Sequence, residues 1–278
     1  NPQRNIPLAL AGSVLICLVI YLMLQISFIG AIEPSEIIGG WHTLDFTSPL
    51  AQLAIILGIN WIAVVLYVDA AISPSGTGII YVGSSARMFT GMAEDGQMPK
   101  VFAKEHAVHK ISRLSIAATL IFCMILVIFF DNWDKIMIVV SVFQLISCLA
   151  VPIAFCKLRK IDLDKPRPFR MPAGLTLSYI AYLVVSYLLV QAGFMPLILS
   201  LVFHLVFFLI YCSVYYRSKK LILRAFASAW SMFVYMALMS VFGYLQDQGS
   251  MNNLGTLGVF LIIATINYYF LLNQKGYN

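Results

Sequence analysis

Apolar residues fill this chain in long blocks, and polar residues gather in the short connections between them. Eight blocks can be drawn, over about 7–32, 50–88, 114–130, 136–158, 174–194, 196–216, 229–245 and 255–272. Each is near the length of about 20 residues at which an α-helix crosses the hydrocarbon of a bilayer. The pattern predicts an all-α polytopic membrane protein with about eight transmembrane helices. The third and seventh blocks are short. The second holds a full span plus a further stretch with a polar end.

Charge placement supports the division. With the N-terminus in the cytoplasm and the blocks alternating, 17 of the 18 basic residues fall in cytoplasmic connections, chiefly 87–113, 157–170 and 217–224, and only Lys135 falls outside. Glu33, Glu36, Asp45, Asp131, Asp134 and Asp247 fall on the other side. Short loops rich in Lys and Arg stay on the cytoplasmic side of a membrane, so this asymmetry places both ends of the chain inside. Trp41 and Trp133 stand where interfacial aromatics are expected.

Composition agrees. The chain is 61% hydrophobic and 11% charged with a mean hydropathy of +0.89, whereas soluble domains are about half apolar and a quarter charged. The formal charge of +6 is a topology signal rather than a nucleic-acid footprint, because the basic residues are confined to short connections. The five cysteines lie in or beside apolar blocks and form no CxxC pair, so they read as small hydrophobes in helix packing. The chain opens on Asn1-Pro2 with no methionine and no signal-peptide pattern, which points to a piece of a longer protein.

The stretch from Leu66 to Lys100 carries the chemistry. It begins apolar, holds the bare carboxylate Asp69, then meets Ser73-Pro74-Ser75-Gly76-Thr77-Gly78 before resuming as an apolar helix that closes at Gly96 and Pro99. Pro74 removes a backbone donor and obstructs the carbonyl one turn earlier, so the helix is expected to be interrupted or kinked at Pro74 and Gly76. One reading makes the patch a kinked helix with small residues for close packing. The other has the hydroxyls of Ser73, Ser75 and Thr77 and the freed carbonyls lining a cavity. A carboxylate facing lipid is costly, so Asp69 should face a cavity or a partner unless it lies at the outer interface. Asn60, earlier in the same block, and Gln144, on a stripe with Ser141 and Ser147, are secondary candidates.

Four histidines are scattered through the chain. His42 reads as a surface residue, His106 and His109 lack partners at a ligand spacing, and His204 reads as a hydrogen-bonded histidine between helices. The stretch from Lys219 to Ala229 is amphipathic and suits the membrane surface. No nucleotide-binding, hydrolase or metalloprotease motif occurs, so neither an enzyme, a metal nor a cofactor is expected.

Two motifs carry a family resemblance. NPQRNIPLAL resembles the cytoplasmic turn before the seventh helix of amino acid permeases of the amino acid–polyamine–organocation superfamily. SSARMFTGMAEDGQMPKVFAK is similar to the end of the eighth helix in that family. They lie in the right order within the first 105 residues or so; beyond them the match is mostly hydropathy. The resemblance implies two inverted five-helix repeats with substrate held near the midplane. It makes 1–158 core helices, like the seventh to tenth of the family, and 159–278 peripheral helices, a layout that looks like the aspartate–proton symporter group. The substrate-gripping unwound helices would then lie in a missing N-terminal half. In sodium-coupled relatives, hydroxyls of the eighth helix bind the cation, a role nearest Ser73, Ser75 and Thr77 in this sequence. Asp69 matches no family motif; its reading as a proton-carrying group comes from burial cost.

The expectation is therefore the C-terminal part of a secondary amino acid transporter of the cytoplasmic membrane, coupled to protons or another cation. Its partners are an amino acid, the coupling ion, the bilayer and the N-terminal half. An amino acid or amine exchanger of the same family is one alternative. A non-transporting scaffold, in which polar residues only join helices, is another.

Overall fold

The computed structural model describes residues 1–33, 40, 48–104, 106, 111–130, 132–161, 167, 169, 171–215 and 219–274. Among them are nine α-helices and two short 3-10 turns. Trp41, His42 and His109 lie outside the described residues. Six helices are long and apolar enough to cross a membrane, and two more, Arg113–Phe129 and Gly174–Val190, are apolar but shorter. These eight are the eight blocks of the sequence.

The chain divides into two compact units, 1–119 and 120–278. The first holds α1 (Pro2–Ala31), α2 (Pro49–Ile56), α3 (Asn60–Glu94) and the first turns of α4 (Arg113–Phe129). Helix α1 starts at Pro2, and Pro7 lies inside it. The second block splits into α2 and α3, and the break falls at Leu57-Gly58-Ile59, not at the Ser-Pro-Ser-Gly-Thr-Gly patch. Gly58 takes a left-handed φ of +74°, which glycine adopts without a Cβ clash. The Ile59 N–H closes the turn on the Ala54 carbonyl at 2.8 Å.

Helix α3 then runs unbroken for 35 residues, about 52 Å against a hydrocarbon core of about 30 Å. The expected interruption at Pro74 does not form. At its far end the turn at Gly96 and Pro99 does form, with the N–H groups of Gln97 and Met98 returning to the Met92 carbonyl. A 3-10 turn, Lys100–Ala103, folds back so that Phe102 meets Phe89 with ring centroids 5.9 Å apart. Ser112 caps α4, its hydroxyl accepting from the Ser115 N–H at 3.3 Å.

The second unit holds α5 (Trp133–Ile161), α6 (Gly174–Val190), α7 (Phe194–Tyr215), α8 (Lys219–Asp247) and α9 (Leu254–Asn273). Its core joins Val142 and Leu149 of α5, Leu189 of α6, Leu197 of α7, Met239 of α8 and Phe260 of α9. Helix α8 is longer than the seventh block, because the amphipathic stretch from Lys219 is continuous with the span. The connection between α6 and α7 is tight: Gly193 has φ +82°, and the Asp247 carboxylate accepts from the Phe194 N–H at 2.9 Å. Among the described residues His204 has no hydrogen bond to another helix. Its Nδ1–H donates to the Ser200 carbonyl of its own helix at 2.8 Å, and its ring stacks on Phe143 of α5 at 5.1 Å.

Candidate functional site

Helix α3 places the candidate residues. At about 100° per residue, Asp69, Ser73 and Gly76 fall on one stripe, with Thr77 at its edge, while Ser75 points about 120° away. The Ser73 hydroxyl donates to Asp69 Oδ1 at 2.7 Å, a charge-assisted bond of the stronger kind. Ser75 and Thr77 donate to the Ala71 and Ser73 carbonyls at 2.7 and 2.8 Å. Pro74 deprives the Ala70 carbonyl of its N–H, and the helix carries that gap, with the Ser75 and Thr77 hydroxyls adding bonds to the Ala71 and Ser73 carbonyls just beyond it.

The three hydroxyls are thus turned back on the helix, and Asp69 and Ser73 are joined into one acceptor group. Every residue from Val68 to Tyr81 is exposed within the unit. An added Cβ at Gly76 or Gly83, both on the Asp69 side of α3, would meet nothing within 4 Å. The stripe is therefore an open face on which another backbone could approach closely, with a carboxylate beside the openings. Asp69 stands in the first third of this apolar helix, and a carboxylate there is costly to leave to lipid. What the pair can do is accept: a proton, a metal cation or an ammonium group.

Asn60 stands at the start of α3, nine residues or about 14 Å before Asp69 and on the opposite side of the helix. Gln144 belongs to the second unit, where its amide lies 3.6 Å from Cys148 Sγ. With Ser147 it lines an otherwise apolar cleft of about 320 Å³ beside Phe122, Phe143 and Val140. Ser141 turns back on the Met137 carbonyl at 2.8 Å. Among the candidates, Asp69 and Ser73 are hydrogen-bonded to one another, Thr77 reaches the backbone of Ser73, Asn60 and Ser75 point to other sides of α3, and Gln144 belongs to the second unit.

A family described as amino acid permease matches residues 1–216. The chain belongs to the amino acid permease family. It is 37% identical to the glutamate/serine transporter AimA of Bacillus subtilis (strain 168), across all of this chain and 52% of that relative. It is 28% identical to the aspartate-proton symporter of the same organism, across 99% of this chain and 55% of the relative. Identity to the branched-chain amino acid permease BcaP is 23%, over 73% of the chain and 42% of that relative. The chain spans about half the length of the curated relatives it matches. No solved structure matches it.

In this permease chain the sequence reading passed over a second polar system. Ser178, Tyr182 and Ser186 recur every four residues on the buried stripe of α6. Ser178 donates to the Pro152 carbonyl at 2.8 Å and lies 3.2 Å from Cys156 Sγ and 3.3 Å from the Tyr268 hydroxyl. The Tyr182 hydroxyl donates to Asn267 Oδ1 at 2.7 Å and that of Tyr235 to Ser186 at 2.6 Å. The signal was present as a four-residue spacing of polar groups inside an apolar block. These groups satisfy one another, so they join α5, α6, α8 and α9. Cys156 is thereby more than a small hydrophobe.

Proposed function

We propose that this chain is the C-terminal part of a secondary transporter that moves an amino acid across the cytoplasmic membrane together with protons. The observation that carries the reading is the Asp69–Ser73 pair, a carboxylate exposed on an open stripe of a helix long and apolar enough to cross a membrane. The relatives' names, a glutamate/serine transporter and an aspartate-proton symporter, support a small dicarboxylic or hydroxylated amino acid as substrate and a proton as the coupling ion. In this reading 1–158 supplies core helices and 159–278 peripheral ones. The stripe of α3 faces the other half of the transporter, and both ends of this chain are cytoplasmic.

Asp69 carries the proton on the coupling path, Ser73 orients it, Thr77 stands beside them on α3, and Ser75, Asn60 and Gln144 are further candidates for the route. Pro74 and Gly76 are where α3 flexes as access alternates. The test is uptake of labelled glutamate, aspartate and serine by the full-length protein in proteoliposomes, with and without an inward proton gradient. Uptake that follows the gradient and saturates with one of these substrates supports the proposal. Gradient-independent exchange of internal for external amino acid contradicts the coupling.

A further inference from the structure

Ser231 sets itself apart from the serines and threonines that turn back on their own helix. Ser13, Ser75, Thr77, Ser141, Ser213 and Ser240 each donate to a carbonyl three or four residues earlier. Ser231 is 4% exposed, and its hydroxyl has no hydrogen-bond partner among the described residues. It lines a groove of about 260 Å³ between α8 and α9, with Val234, Ile263 and Ile266 as apolar walls and Asn267 opposite. The Asn267 carbonyl oxygen is taken by the Tyr182 hydroxyl, which leaves the NH₂ of the amide as a donor where Asn267 lines the groove. Trp230 and Phe270 meet edge to face at 5.8 Å beside it.

We propose that this groove holds one membrane glycerophospholipid, with an ester carbonyl accepting from Ser231 and Asn267 and an acyl chain along the apolar walls. Two donors without an acceptor are costly in hydrocarbon, so the site selects a ligand that brings oxygen acceptors and little else that is polar. Depth fits the linkage region of a lipid. The spanning part of α8 begins at Ala229, so Ser231 stands about 3 Å inside it, and Asn267 is about 9 Å from the end of α9. Trp230 marks the interface.

The experiment is lipid titration of the purified, delipidated full-length protein by native mass spectrometry. Phosphatidylglycerol with ester-linked chains is compared with its ether-linked analogue, which lacks the carbonyl oxygens. In the wild type the ester lipid is expected to bind about tenfold more tightly at this site, the worth of roughly one to two hydrogen bonds. In Ser231→Ala that preference should fall, and in Ser231→Ala/Asn267→Leu it should disappear. Ser231→Ala removes no bond to a described residue and takes away a buried unpaired hydroxyl, so its melting midpoint should be unchanged or raised. Equal binding of the two lipids by the wild type, or a preference that survives in the double variant, overturns the proposal. So does a protein dimer that forms without lipid and dissociates in the double variant, since a second copy would then fill the groove.

Discussion

Asp69 and Ser73 are held together by the helix that carries them. An i to i+4 spacing brings the hydroxyl onto the carboxylate at 2.7 Å. Small residues decide other contacts just as locally. An added Cβ at Gly243 would stand 2.9 Å from the backbone of Gly193, where α8 crosses the connection between α6 and α7. Gly243→Ala should therefore cost about 1–3 kcal/mol, read as a lower thermal-unfolding midpoint. Gly255→Ala, with nothing within 4 Å of the new atom, should leave that midpoint unchanged or slightly raised. Ser178→Ala, which strips the Pro152 carbonyl and the Cys156–Tyr268 pair of a shared partner, should cost about 1–3 kcal/mol by the same measurement.

The residues of the Asp69 patch were legible because polar groups inside an apolar block are conspicuous. Their geometry was not, because a hydroxyl next to a proline can either face a cavity or turn back on the backbone. Ser75 and Thr77 do the latter. The Ser178–Tyr182–Ser186 spacing was equally visible in the letters, but only the packing of α5, α8 and α9 on α6 gives each hydroxyl its partner.

At the scale of elements, block lengths foretold eight apolar helices, and the structure has them. Boundaries moved where local chemistry outweighed hydropathy. Gly58, with its left-handed backbone, separates α2 from α3, while Pro74 is carried inside a continuous helix. The amphipathic lead into α8 continues the helix because nothing in it, neither proline nor glycine, stops one. Pro74→Ala restores the missing N–H to the Ala70 carbonyl. If α3 flexes there during transport, this variant should fold at least as stably as the wild type yet turn over several-fold more slowly. Uptake at saturating substrate, normalised to protein in the membrane, checks it. Unchanged turnover would make Pro74 a packing residue.

For the whole molecule, the chain spans about half of its curated relatives, and its carboxylate-bearing stripe is open. If Asp69 carries the coupling proton, that stripe is covered by the rest of a transporter, against which these helices move. Residues 1–278 alone in liposomes should show no saturable uptake of glutamate, aspartate or serine. The coupling role of Asp69 is probed without intermediaries by proton-driven uptake in proteoliposomes, full-length wild type against Asp69→Asn. The wild type should accumulate substrate with the gradient, and the variant, present in the membrane at the same level, should not. Equal gradient-driven accumulation by both would contradict that role and move the coupling group off α3.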